Sequence, residues 1–163
     1  MQERNSGANK KDQSIKPLTA RQSEVLNLIG KGFTNKEIAK TLGISHFTLK
    51  HFTTEEESGI YAKLGTTSKL ETVIKAIDEG LLDSEEISTR FDFDKLDSLS
   101  LGETRVLFEI SKPQNYYLGY KGLAPNMSLK INSLRSVSSI VFKKLGIRNR
   151  EDAVMFTLLR PGE

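Results

Sequence analysis

The chain contains no cysteine, which excludes disulfides and thiolate metal sites and suits a reducing compartment. Histidine is scarce. Its two copies, His46 and His51, stand five residues apart with no positioned carboxylate or third ligand, so no metal site is expected. No apolar run approaches the roughly 18–20 residues of a membrane span, and no secretory signal pattern opens the chain. Gly-rich phosphate loops, nucleophile elbows and paired-carboxylate constellations are missing as well. Neither an enzyme nor a cofactor is therefore expected, and no membrane association. What remains is a chain of 163 residues, 37% apolar, with a mean hydropathy of −0.38. One or two small cytoplasmic domains fit that size.

Helix signals are frequent. Thr19 with Gln22, Thr34 with Glu37 and Ser68 with Glu71 have the spacing of capping boxes. Each is followed by apolar residues at helical intervals: Val25, Leu26 and Ile29; Ile38, Ala39 and Leu42; Val73, Ile74, Ile77 and Leu81. Gly30 and Gly32 end the first helix, and Gly43 permits a left-handed turn before Ser45 caps the next. Leu49, Ile60 and Leu64 fit the buried stripe of a third helix. Four helices, with a helix-turn-helix among them, are predicted over residues 17–83.

The pattern then returns. Val106 and Leu107 echo Val25 and Leu26, and Lys144-Leu145-Gly146 echoes Lys63-Leu64-Gly65, both at an offset of 81 residues. Ser100 and Glu103 repeat the first capping box. The fold class expected is all-α: two tandem four-helix helix-turn-helix domains, at 17–83 and 99–160, joined by an acidic linker at 84–98. Ile87, Phe91 and Phe93 give that linker apolar groups to dock on a neighbouring core. Residues 1–16 are polar without apolar periodicity and read as a disordered arm.

The segments "LTARQSEVLNLIGKGFTNKEIAKTLGIS", "TLK", "IYAKLG" and "AIDEGLL" resemble the LuxR-type (GerE-like) DNA-binding domain of bacterial transcription regulators. In the second copy Leu123, Ala124, Met127, Leu129, Ser133 and Leu134 fall where that family has Ile, Ala, Leu, Ile, Thr and Val. "IRNREDAV" is similar to the family's entry into its fourth helix. Both copies depart from it. "HFTTEEESG" is about four residues longer than usual. That is close to one helical turn, so the third helix either lengthens or breaks near Ser58-Gly59. In the second copy "SKPQNYYLGYKG" reads as a loop, and Pro125 is tolerable only in the first turn of a helix.

The resemblance implies double-stranded DNA as the partner. In the first copy Ser45, His46, Thr48, Lys50 and His51 would face the groove, with Lys36 and Lys40 near phosphates. In the second copy Lys130, Asn132, Ser133, Arg135, Ser136, Ser138, Ser139 and Lys143 occupy the corresponding helix. Arg148 and Arg150 either touch phosphate or pair within the domain. Glu55, Glu56 and Glu57 repel DNA if they continue the recognition helix and are neutral if they face solvent. Tyr116, Tyr117 and Tyr120 read as packing residues rather than a base-stacking platform. In the family the fourth helix commonly makes the dimer contact. That implies a homodimer, an intramolecular pseudo-dimer or a protein partner through Val73, Ile77, Leu81, Val154, Phe156 and Leu158.

Charge complicates the picture. Residues 17–83 hold eight Lys/Arg against nine Asp/Glu, and residues 99–163 hold ten against five. Pattern favours the first copy and charge the second, since cation–phosphate contacts supply much of DNA affinity. The expected function is a DNA-binding transcriptional regulator reading through one or both third helices. No receiver or ligand-sensing domain is expected, because the repeats consume the chain. Two alternatives share the fold: a protein-interaction module that regulates another regulator, and a sigma-factor-like promoter-recognition module.

Overall fold

The computed structural model describes residues 16–54 and 56–162. The expected arm at 1–16 therefore lies outside the described residues except for Lys16, as does Glu55. In the first half α1 (Ala20–Gly30), α2 (Asn35–Leu42), α3 (His46–Thr53), α4 (Ile60–Leu64) and α5 (Lys69–Asp78) surround one core. Val25, Ile38, Ile60 and Ala76 are fully buried there, and Leu49 nearly so. The capping boxes of Thr19 and Thr34 both form. At Ser68 only half of one does. Its hydroxyl accepts from Glu71 N, but the Glu71 carboxylate turns to Thr67 N and Oγ1 instead.

The expected third helix is broken rather than lengthened. Thr53 Oγ1 donates back to the Leu49 carbonyl, and Thr54 leaves the helix in extended conformation. A Cβ on Gly59 would sit 2.1 Å from the Thr54 carbonyl oxygen, so only glycine lets the chain fold back to start α4. Gln22 holds this detour. Its Nε2 donates to Ser58 O at 2.5 Å, while its Oε1 accepts from Thr19 N at 3.0 Å and Lys63 Nζ at 2.7 Å.

The second half comprises α7 (Leu101–Ser111), α8 (Tyr120–Asn126), α9 (Ile131–Leu145) and α10 (Arg150–Leu159). Val106, Leu107, Leu123, Leu134, Val141 and Phe156 form its core. Two helices match the first half in length and register. The 11 residues of α7 begin 81 positions after α1, and the ten residues of α10 begin 81 positions after α5. Contacts repeat too. Lys63 Nζ bonds Gln22 Oε1 and Pro17 O, and Lys144 Nζ bonds Glu103 Oε2 and Ser98 O. Each of those three residues in the second half lies 81 after its counterpart. The middle helices differ, since α9 is one continuous 15-residue helix. Pro125 is the sixth of seven residues in α8, outside the first turn where proline is readily tolerated. The helix ends one residue later, so the hydrogen bond that proline cannot donate is lost where the ladder stops anyway. Ser138, expected on the open face of its helix, is buried with its hydroxyl unpartnered.

Residues 84–98 are packed, with the apolar groups named in the sequence docked on the two cores. They form α6 (Ser84–Ser88) and a 3₁₀ turn at Phe93–Ser98. Ile87 enters the first core and Phe93 packs on the second, while Phe91 touches both. The Phe156 ring lies 5.8 Å from that of Phe91 and 5.0 Å from that of Phe93. Helix α10 is apolar on two faces. Ala153 and Phe156 seal its own core, and Val154 and Met155 complete the first one.

Polar contacts lock the same seam. Asp152 is 7% exposed. Its Oδ1 accepts from Arg90 Nη2 at 2.7 Å, and its Oδ2 accepts from Arg148 N at 3.1 Å and Arg148 Nε at 3.2 Å. The two guanidinium groups then donate to the end of α1, Arg90 to Gly30 O at 2.9 Å and Arg148 to Gly32 O. Gly32 must be glycine here, because it has φ +79° and a Cβ would lie 2.0 Å from Arg90 Nη2.

Candidate nucleic-acid interface

The turn between α2 and α3 has a simple local cause. Gly43 at φ 62° ends α2 in the left-handed region. Ile44 N donates to Ala39 O to close the turn. Ser45 then caps α3, accepting from Thr48 N at 3.0 Å, and its hydroxyl also meets Thr48 Oγ1 at 2.9 Å. Leu49 anchors α3 to the core at 1% exposure. One stripe buried on so short a helix leaves the other faces in water.

Those faces carry His46, Phe47, Lys50 and His51, all exposed. Helix α3 contains no carboxylate. On α2, Lys36 and Lys40 are exposed beside it. Helix α2 also carries Glu37, but that carboxylate is spent on its cap: bonds from Thr34 N and Oγ1 hold its pKa below the usual 4.5. Glu56 and Glu57 lie beyond the Thr54 bend, so they do not prolong α3. Glu57 is open to solvent and stands 3.9 Å from Lys16.

In the second half, α9 exposes Asn132, Ser133, Arg135, Ser136, Ser139 and Lys143, with Lys130 at its N-cap. Lys50 and Arg135 hold the same place, five residues after the N-caps Ser45 and Lys130. Arg148 and Arg150 are engaged elsewhere. Arg148 belongs to the seam, and Arg150 donates to the carbonyls of Ile110, Asn115 and Leu118, pinning the "SKPQNYYLGYKG" loop. Burial lowers the pKa of Arg150. In that loop Tyr116 packs on the first core and its hydroxyl donates to Glu151 Oε1 at 3.2 Å. Burial and the Glu151 charge raise its pKa to about 12.

Of the residues named for a partner helix, Val73, Val154 and Phe156 are buried in this chain's own cores, which corrects their expected availability. Leu81 and Leu158 are exposed, and Ile77 is half-buried. Phe47 went unnamed in the sequence reading, although an apolar residue beside, not on, the Leu49 stripe is a signal the sequence holds.

Residues 16–76 match the family of bacterial regulatory proteins described as the luxR family. That segment holds the entire α2–turn–α3 unit. Residues 16–76 thus carry a LuxR-type helix-turn-helix domain. The chain is 38% identical over 66 residues to the transcriptional regulatory protein MctR of Rhizobium johnstonii, covering 40% of this chain and 29% of that one. It is 40% identical over 73 residues to the transcriptional regulatory protein YdfI of Bacillus subtilis, covering 45% and 32%. The match therefore spans about a third of each relative. No solved structure matches. Among the described residues, no helix is long and apolar enough to cross a membrane.

Proposed function

We propose that this protein is a DNA-binding transcriptional regulator of the cytoplasm that places α3 in the major groove. The observation that carries the reading is the α3 face itself. It follows a tight helix-helix turn, exposes Lys50 and two histidines, and bears no carboxylate. Ser45, Thr48, His46, Lys50 and His51 meet base edges and nearby phosphates, and Lys36 anchors the backbone. We further assign residues 17–83 and 99–160 as two copies of one domain plan, supported by the repeated helices and lysine contacts at an offset of 81. The second copy offers Lys130, Asn132, Ser133, Arg135, Ser136 and Lys143 on α9, in the half with the larger positive charge. Arg148 contributes to the joint rather than to DNA.

Of the residues named for a partner helix, pairing with another chain falls to Leu81 and Leu158, which are exposed, since α10 spends its second face inside this molecule. A second reading, a regulator that acts by binding another protein, is favoured by the excess of acids over bases in residues 17–83. Fluorescence anisotropy of the full chain on genomic duplex fragments at several salt concentrations separates the two. Binding whose logarithm falls linearly with the logarithm of salt supports phosphate contact. No binding at low salt refutes the DNA reading and leaves the protein-partner one.

A further inference from the structure

Phe47 is 71% exposed on the first turn of α3. The other apolar side chains of that helix turn to the core, Leu49 at 1% exposure and Phe52 packed against the same cluster. Phe47 therefore packs on neither core of its own chain, and an uncovered ring of that size is unfavourable in water. It is not loose either. Its ring meets the His51 ring one helical turn on, with centroids 4.5 Å apart and planes at 81°, a contact that favours one rotamer and lowers the ordering cost of binding. His46 and Lys50 flank it, both exposed, and no carboxylate on α3 opposes a polyanion.

A phenyl ring cannot read hydrogen-bond donors or acceptors. In the major groove the one apolar feature that distinguishes a base is the C5-methyl of thymine. We propose that Phe47, held by His51, contacts a thymine methyl and makes α3 prefer T·A at that position; the inference rests on the DNA-reading function proposed above.

The test uses the full chain and a duplex enriched by it from a random library. Each thymine is replaced singly by uracil, which removes the methyl and leaves the hydrogen-bonding pattern intact. Wild-type protein is expected to lose about fourfold in affinity at one or two adjacent positions, the worth of one buried methyl. Phe47→Ala should bind more weakly and no longer discriminate thymine from uracil there, and its unfolding midpoint should match the parent because the ring is exposed. Three results overturn the inference. These are wild-type binding to the duplex with uracil tolerated everywhere, retention of the parent's discrimination by Phe47→Ala, and a library that yields no preferred sequence; in each of these the DNA reading itself survives. Absence of any duplex binding at low salt overturns both.

Discussion

Removing the Asp152 carboxylate should weaken the seam between the two halves. Asp152→Ala removes three acceptor contacts, of which only the one from Arg90 is well shielded from water. Arg90 loses its ion pair, and Arg148 loses bonds from both its backbone N and its Nε. The Arg90 side chain is 18% exposed and that of Asp152 10%, but Arg148 is 49% exposed. Breaking a fully buried pair by deleting one partner costs about 3–5 kcal/mol. Water reaches Arg148, and Arg90 keeps its bond to Gly30 O, so about 2–3 kcal/mol is expected. For a chain of this length that corresponds to a Tm lower by about 5–10 °C. Asp152→Asn, which keeps an acceptor oxygen but no charge, should lose roughly half as much. Urea denaturation of both variants, with Arg90→Met and the double variant, completes the cycle. A coupling energy of about 1 kcal/mol or more between positions 90 and 152 is expected. An Asp152→Ala protein within about 0.5 kcal/mol of the parent, the range of an ordinary surface change, would refute the reasoning.

Other expectations follow from single contacts. Gly59→Ala forces a methyl against the Thr54 carbonyl and should destabilise by about 1–3 kcal/mol; equilibrium unfolding checks it, and an unchanged midpoint would mean the α3–α4 bend does not need glycine. Burial and Glu151 raise the Tyr116 pKa to about 12 from 10.0, so the folded state favours the protonated phenol. The resulting stability is complete below pH 10 and declines as pH rises through the folded value. Denaturation midpoints across that range should fall, and Tyr116→Phe should flatten the decline.

The local structure was legible because each signal is short-range. Capping at Thr19, Thr34 and Ser100 and the stripes through Val25 and Val106 need only neighbours three or four residues away. The break after α3 was not decidable, since four added residues equal about one turn. A steric contact between Gly59 and Thr54 O settles it. Most residues named on α3 and α9 are exposed, Ser138 is buried, and the exposed Phe47 was not among them. The seam was hidden for a different reason. Asp152 lies 62 residues from Arg90, and the arginines' other acceptors are main-chain carbonyls, which leave no trace in residue type. The second apolar face of α10 was visible, but whether another chain or this chain's first core covers it is a tertiary matter.

The central claim, that α3 and α9 meet DNA directly, is tested most directly by the salt dependence of duplex binding for the parent, Lys50→Ala and Arg135→Ala. Each lost phosphate contact should reduce the slope of log affinity against log salt by about 0.9. A smaller slope for both variants is the predicted result. Slopes and affinities equal to the parent's in both would contradict the account.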